Sequence, residues 1–360
     1  MTTIDTSLLN PALEQFIRQA VVKQYNRSHV TTNLIRKESG MGKNLAWDVS
    51  VGTATGQVFD EGETVSTFNA DTELLATLPW AEYGDAFKIT GRAEDGAQFS
   101  RTELGSTWAF KMTQARERAA EKVNVDVWSG DGSGSPQKLF GLTMGSGGPL
   151  SASGTYAGTL NRGTYSQVQG ITLANGGIPR AVNLSLIEQG FEYVFNASSK
   201  TPTFGVTTAN IWRQLCELPS DQRRILQEVY IRGEKLTMSM GFHAVEINGV
   251  PVFKDVSVPA GYLGFFCDDC IAMEYLPTAP ARIARGKIMA TVPLAGTPQE
   301  QGQDFFNLPP GANVPLVANI IALPSAGNFE AWMIDATIGL KVTRPNAHFL
   351  IKDLATRIES

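Results

Sequence analysis

The chain has 360 residues, 42% hydrophobic and 18% charged, with a net charge of −5. That content is ample for one large or two to three small cored domains, and the negative balance excludes a strongly basic nucleic-acid binder. No apolar run reaches the roughly 20 residues of a membrane span, no secretory signal opens the chain, and three cysteines do not make a disulfide framework.

Asn10-Pro11 starts a predicted helix, with Asn as N-cap and Pro at the first helical position. Leu13, Phe16, Ile17, Ala20 and Val21 form its apolar face, which ends near Tyr25. From Asn26 to Asn44 the chain turns polar and basic. Residues 1–44 carry six Lys/Arg against three Asp/Glu, a net +3. This reads as an arm that packs on a neighbour or on its own body.

Residues 45–98 read as a long hairpin. They carry ten acidic groups against Lys88 and Arg92, a net −8, while the rest of the chain sums to zero. Leu45 to Val51 alternates with period two, and a return strand starts near Thr72. On the return, Leu74, Ala76, Leu78 and Trp80 hold even positions, whereas Tyr83, Phe87 and Ile89 hold odd ones. The change of phase at Pro79-Trp80 predicts a bulge or bend. Between the strands, 56–71 is too poor in apolar residues to fold on itself, so it is expected to project.

Ser100 and Glu103 form a capping box. Leu104, Trp108, Met112, Ala115, Ala119, Val123 and Val127 then draw one apolar stripe along a helix over 99–128. Lys111, Arg116, Arg118 and Lys122 fall on its polar side. A Gly/Ser loop ends it, and Gly130–Gly134 is expected to act as a hinge. Helical spacing recurs over 183–195 and after Thr207-Thr208. Asn248-Gly249 predicts a type I′ hairpin between Val245 and Val252. Strands follow at 262–266, 314–323, 330–343 and 347–351.

The chemical motifs are thin. Cys267-Asp268-Asp269-Cys270 has CxxC spacing but no second ligand pair, and its intervening carboxylates are expected to raise the thiol pKa values. Gly40 to Asn44 lacks the first Gly and the Ser/Thr of a phosphate loop. No enzyme, cofactor or metal is expected.

The order of parts resembles the major capsid proteins of tailed double-stranded DNA phages, an α+β architecture known as the Hong Kong 97 phage fold. The stretches that carry the likeness are Gly42 to Val49, Asp60 to Glu63, Asn248 to Asp255 and Ile338 to Pro345. The resemblance implies an N-terminal arm at 1–44, an extended loop at 45–98, and a peripheral domain from 99–150 and 285–360. It implies an axial domain at 151–284. Function would be self-assembly into hexamers and pentamers that close an icosahedral shell around the genome. The partners would be copies of this chain, separate scaffolding, portal or decoration proteins, and non-specifically bound packaged DNA, with no membrane. The expected location is the virion capsid, assembled in the reducing host cytoplasm.

Lys88 lies at the base of the loop instead of its tip, so the covalent cross-linking of some relatives is not expected. An encapsulin-like shell around protein cargo is the alternative, and a tail-fibre or secreted binding module is a second one. Across the subunit boundary, Asp60, Glu61, Glu63, Asp71 and Glu73 of the loop are expected to meet Lys111, Arg116, Arg118 and Lys122 of the long helix.

Overall fold

The phase change at Pro79-Trp80 is where the chain leaves one sheet and joins another. Residues Glu73–Leu78 pair with Leu45–Ser50 as a two-stranded ribbon, burying Ala76 and Leu78. Residues Ala81–Thr90 pair instead with Phe329–Val342, burying Ala81, Tyr83, Phe87 and Ile89. A two-residue break thus flips which parity faces the core, as the period-two rule requires.

The computed structural model describes residues 30–51, 61, 73–90, 101–134, 137–218, 224–226, 229–231, 234–236, 244–276, 290–295, 316–323 and 329–355. The predicted helix over 10–25, the capping box, the projecting 56–71 tip apart from Glu61, and the 324–328 turn lie outside them.

In chain order the elements begin with α1 (Val30–Leu34), β1 (Arg36–Ser39), β2 (Leu45–Ser50), β3 (Glu73–Leu78), β4 (Ala81–Thr90) and the long α2 (Arg101–Ser129). Then come β5 (Thr155–Tyr156), β6 (Leu160–Asn161), β7 (Ile171–Leu173), α3 (Leu184–Ser198), β8 (Phe204–Thr207) and α4 (Ala209–Cys216). Three short strands follow: β9 (Arg224–Leu226), β10 (Val229–Ile231) and β11 (Glu234–Leu236). After them lie β12 (Ala244–Ile247), β13 (Val250–Lys254), β14 (Leu263–Phe266) and β15 (Ile271–Tyr275). The last are β16 (Ala290–Ala295), β17 (Leu316–Leu323), β18 (Phe329–Val342) and β19 (Phe349–Ile351).

Two sheets dominate. In the first, β18 is the axis: β4 pairs along one side, while β17 and then β15 run end to end along the other. Strand β1 adds parallel to β15, so part of the expected arm is built into the body. In the second, seven strands run in the order β7-β19-β14-β8-β13-β12-β9. Its two faces are both buried. Phe204, Val206, Phe253, Phe266 and Leu350 face the core shared with α2, and Val252, Leu263, Phe265, Phe349 and Ile351 face the core under α3 and α4. Burial on both sides explains why β14 reads as an unbroken apolar run instead of an alternating one. Two strands cross the expected domain ranges, because β15 joins the first sheet and β19 the second.

Helix α2 spans both sheets. Its 29 residues, at about 1.5 Å each, reach roughly 43 Å. Trp108 stands edge-on to Phe87 and Trp332 of the first sheet, with ring centroids 5.8 and 6.1 Å away. Trp128, 20 residues on, is edge-on to Phe266 of the second at 5.8 Å. Each such contact contributes about 0.5–1.5 kcal/mol beyond area burial. Between them Met112, Ala115, Ala119, Val123 and Val127 are buried, as the stripe predicts.

The loop after α2 is not a free hinge. Gly130 N–H donates to Asp126 O, Gly132 N–H to Leu139 O and Gly141 N–H to Gly130 O. A Cβ at Gly130 would meet Leu139 O at 2.2 Å. Close backbone approach, not freedom, is what the glycine supplies there. At the predicted hairpin Asn248 and Gly249 have φ of 51° and 80°, the left-handed pair a type I′ turn needs.

Candidate inter-subunit surface

Glu61 and Glu73 are exposed, and Asp60, Glu63 and Asp71 lie outside the described residues. The four helical bases have separate surroundings. Lys111 Nζ donates to Lys88 O at 2.7 Å and Arg118 Nε pairs with Asp85 Oδ2 at 2.5 Å, both on β4 of the same chain. Lys122 Nζ pairs with Asp126 Oδ1 one helical turn away at 2.9 Å. Arg116 is only 4% exposed, so it is not on the polar side where the periodicity puts it. Part of the acidic excess of 45–98 is therefore matched within the chain, at Asp85. The side chains of Arg118 and Lys122 remain more than half exposed and open to a second partner.

Beneath this surface lies a junction that periodicity did not reveal. Asp255, 3% exposed, closes a polar node between α1, α2 and the end of β13. Its Oδ2 accepts from Thr31 N–H at 2.8 Å and Thr31 Oγ1 at 2.6 Å. Its Oδ1 accepts from Ser257 N–H at 2.9 Å, and Asn124 Nδ2 lies 3.1 Å from both oxygens. Asn124 Oδ1 in turn accepts from Thr32 N–H and Oγ1, and Trp128 Nε1 donates to Thr31 Oγ1. One buried carboxylate thus ties the root of the arm to the long helix and the second sheet. The available signal was Asn124 itself, a polar residue flush against the apolar stripe.

Three further buried charges fix local geometry. Arg162 is fully buried, and its guanidinium donates to the carbonyls of Val168, Ser153, Gly148 and Pro149. Burial without a carboxylate pulls its pKa down to about 10. On the first sheet Glu38 and Glu274 stand directly opposite each other. Lys341 Nζ bridges them, 2.6 Å from Glu274 and 3.6 Å from Glu38, and Arg36 also pairs with Glu38. Burial raises the Glu274 pKa; Lys341 opposes that shift.

The CxxC departs from its expected chemistry. Both thiols are buried and free. Cys267 is lowered, not raised, because the Cys270 thiol donates to its sulfur and outweighs the nearby Asp269. Cys270 is raised for the same reason. Cys267 N–H donates to His348 Nδ1 at 3.0 Å, which places the ring proton on Nε2. Among the described residues no group of three or more His, Cys, Asp or Glu is placed to hold a metal ion.

His348 is fully buried, and burial pushes its pKa down to about 4. The unfolded chain protonates near its ordinary 6.5, so stability from this group is present above 6.5 and is lost as pH falls towards 4. By pH 5 the loss should be about 2 kcal/mol. Denaturant midpoints of wild type and His348→Gln between pH 7 and 5 test this. The wild type should lose more on acidification, and parallel profiles would refute it.

No described helix is long and apolar enough to cross a membrane. No protein-family model and no curated protein matches the sequence. Solved structures do match. The capsid asymmetric unit of cyanophage A-1(L) aligns with a TM-score of 0.69 and 15% identity, over 92% of this chain and 95% of that one. The chain has the phage capsid fold. The capsid of a native GTA particle gives a TM-score of 0.53 at 15% identity, covering 93% of each chain. Microbacterium phage Oxtober96 gives 0.52 at 11% identity, over 93% of this chain and 94% of that one. At such identities the capsid fold is carried by apolar pattern and topology, not by shared side chains. Of the candidate acids and bases, Lys111, Arg118 and Lys122 lie on α2 outside its buried stripe, and Glu73 opens β3.

Proposed function

We propose that this chain is the structural major capsid protein of a tailed double-stranded DNA phage, and that it is not an enzyme. The observation that carries the reading is the end-to-end match to the cyanophage capsid chain, which leaves little of either protein unaccounted for. In this reading 151–284, with α3, α4 and most of the second sheet, is the axial domain, and 99–150 with 285–360, with α2, β16, β17 and β18, is the peripheral domain. Strands β15 and β19 are exchanged between them. Residues 45–98 are the extended loop and 1–44 the arm. Copies assemble as hexamers and pentamers in the host cytoplasm with separate scaffolding and portal proteins, and the shell becomes the virion capsid. DNA contact is weak and non-specific, since the arm's charge is only +3.

The test is to express the full chain, with a co-expressed scaffold where needed, and image the particles. Closed shells with five- and six-fold capsomers are expected, and packaged DNA in particles from infected cells. Persistent monomers at high concentration would overturn the reading. Shells that hold a dedicated protein cargo and no nucleic acid would replace it with a protein compartment.

A further inference from the structure

The chain passes directly from one sheet into the other at two places, and both lie together. Strand β14 of the second sheet leads through Cys267 and a 3-10 turn, Asp268–Cys270, straight into β15 of the first. Strand β18 of the first sheet returns through Thr343 and a 3-10 turn, Pro345–Ala347, into β19 of the second. The crossings are bonded to each other. Thr343 N–H and Oγ1 donate to Cys270 O, and His348 Nδ1 accepts from Cys267 N–H. Ala347 packs on both cysteines in a small apolar cluster.

We propose that Cys267 and Cys270 form a redox lock within this double crossing, closing as an intrachain disulfide that fixes the β14–β15 turn to which the return crossing is bonded. The geometry suits it. Cys270 N–H donates to Cys267 O at 3.1 Å, an i to i+3 turn. Residues three apart in such a turn eclipse, and at about 2 Å per residue they stand roughly 6 Å apart, within the Cα span of a disulfide. The hydrogen bond between the thiols also leaves Cys267 the more acidic of the two.

The oxidant is a small disulfide such as oxidised glutathione. The Cys267 thiolate attacks one of its sulfurs and expels a thiolate, forming a mixed disulfide. The Cys270 sulfur gives up its proton and attacks Cys267 sulfur, and the second thiolate leaves. Two protein thiols lose two electrons and two protons, and the small disulfide departs as two thiols. Both sulfurs are buried, at 2% and 3% exposure, so exchange needs the crossing to open, and its rate reads that opening. In a reducing cytoplasm the crossing stays free while subunits adjust to their neighbours. Outside the cell it locks. That consequence for the shell rests on the capsid reading, whereas the lock does not.

The experiment treats the purified full chain, as monomer and as shells, with oxidised glutathione or with a reductant. Intact mass should show loss of two hydrogens with no retained glutathione, and Cys216 should remain alkylatable after denaturation. Thermal unfolding of the oxidised monomer should rise by about 2–6 °C, and shell disassembly should slow several-fold. Both differences should vanish in Cys267→Ser/Cys270→Ser, while Cys216→Ser should keep them. A retained mixed disulfide, or a closed disulfide with unchanged melting, would overturn the lock. Failure to form shells would count against the capsid reading and leave the monomer measurements decisive for the lock.

Discussion

Replacing Asp255 with alanine is expected to cost about 3–5 kcal/mol, a large share of the 5–15 kcal/mol that holds a typical domain together. Among the described residues the carboxylate's hydrogen-bond partners are neutral donors, from Thr31, Asn124 and Ser257. Removing it strands these donors in a place water does not reach, at about 1–3 kcal/mol for each buried group left unpaired. Relief from burying a charge offsets part of that sum, which is why the expected cost stays below the arithmetic total. Asp255→Asn separates the two effects. Its single oxygen can serve Thr31 at the Oδ2 position, but its amide then faces Ser257 N–H and the Asn124 amide, donor against donor. A loss of roughly 2 kcal/mol is expected for it. Urea denaturation of the soluble subunit measures both variants. If Asp255→Ala lies within 1 kcal/mol of wild type, the node is not the fastening described.

The second large effect concerns assembly. Reversing Glu61 and Glu63 to lysine should abolish shell formation at ordinary salt and leave the subunit's melting temperature unchanged. Exposed pairs contribute only about 0–1 kcal/mol each, yet every copy in a shell repeats them, and together they set register between neighbours. Rescue is best placed at Lys111. Its ammonium donates to the Lys88 carbonyl, so Lys111→Glu creates no carboxylate pair there, whereas reversal of Arg118 or Lys122 would set a new acid beside Asp85 or Asp126. The triple variant should recover part of the assembly. Raising salt to about 1 M, where the Debye length falls to about 3 Å, should narrow the gap between wild type and the double variant. Light scattering with particle counting reads all of this. Normal shells from the lysine variant would rule out the pairing.

The sequence made legible whatever depends on short-range periodicity. The stripe from Trp108 to Val127, the parity flip at Pro79-Trp80 and the Asn248-Gly249 turn all follow from local rules, and all are present. Strands β9, β10 and β11 were not legible, because three-residue strands are too short to show a period. Sheet membership was not legible either. Nothing local tells Ile271–Tyr275 to pair with β1 and β18, or Phe349–Ile351 to pair with β7 and β14, since the second run is simply apolar and the first departs from that only at Glu274. Arg116 was misplaced because helical spacing predicts a face, not what covers that face. The buried polar node was hidden for a related reason. Thr31, Asn124 and Asp255 are far apart in the chain, and only the closed fold brings their donors and acceptors together.

The place of β19 sets a clock on the subunit's birth. That strand lies inside the second sheet, between residues 171–173 and 263–266. Because β19 is the neighbour of the edge strand, β7 has no hydrogen-bonded partner in this sheet until residue 351 has been synthesised. The first sheet waits in the same way, because β1 near the start must find β15 and β15 must find β18. Pairings so distant along the chain pay their loop-closure entropy before any contact rewards it, and folding is correspondingly slow. A nascent chain therefore emerges with β1 and β7 unpaired, and exposed apolar surface of that kind favours aggregation. If the chain assembles as proposed, it also emerges unable to present a finished surface to a sister copy, so polymerisation on the ribosome is postponed until each subunit is whole.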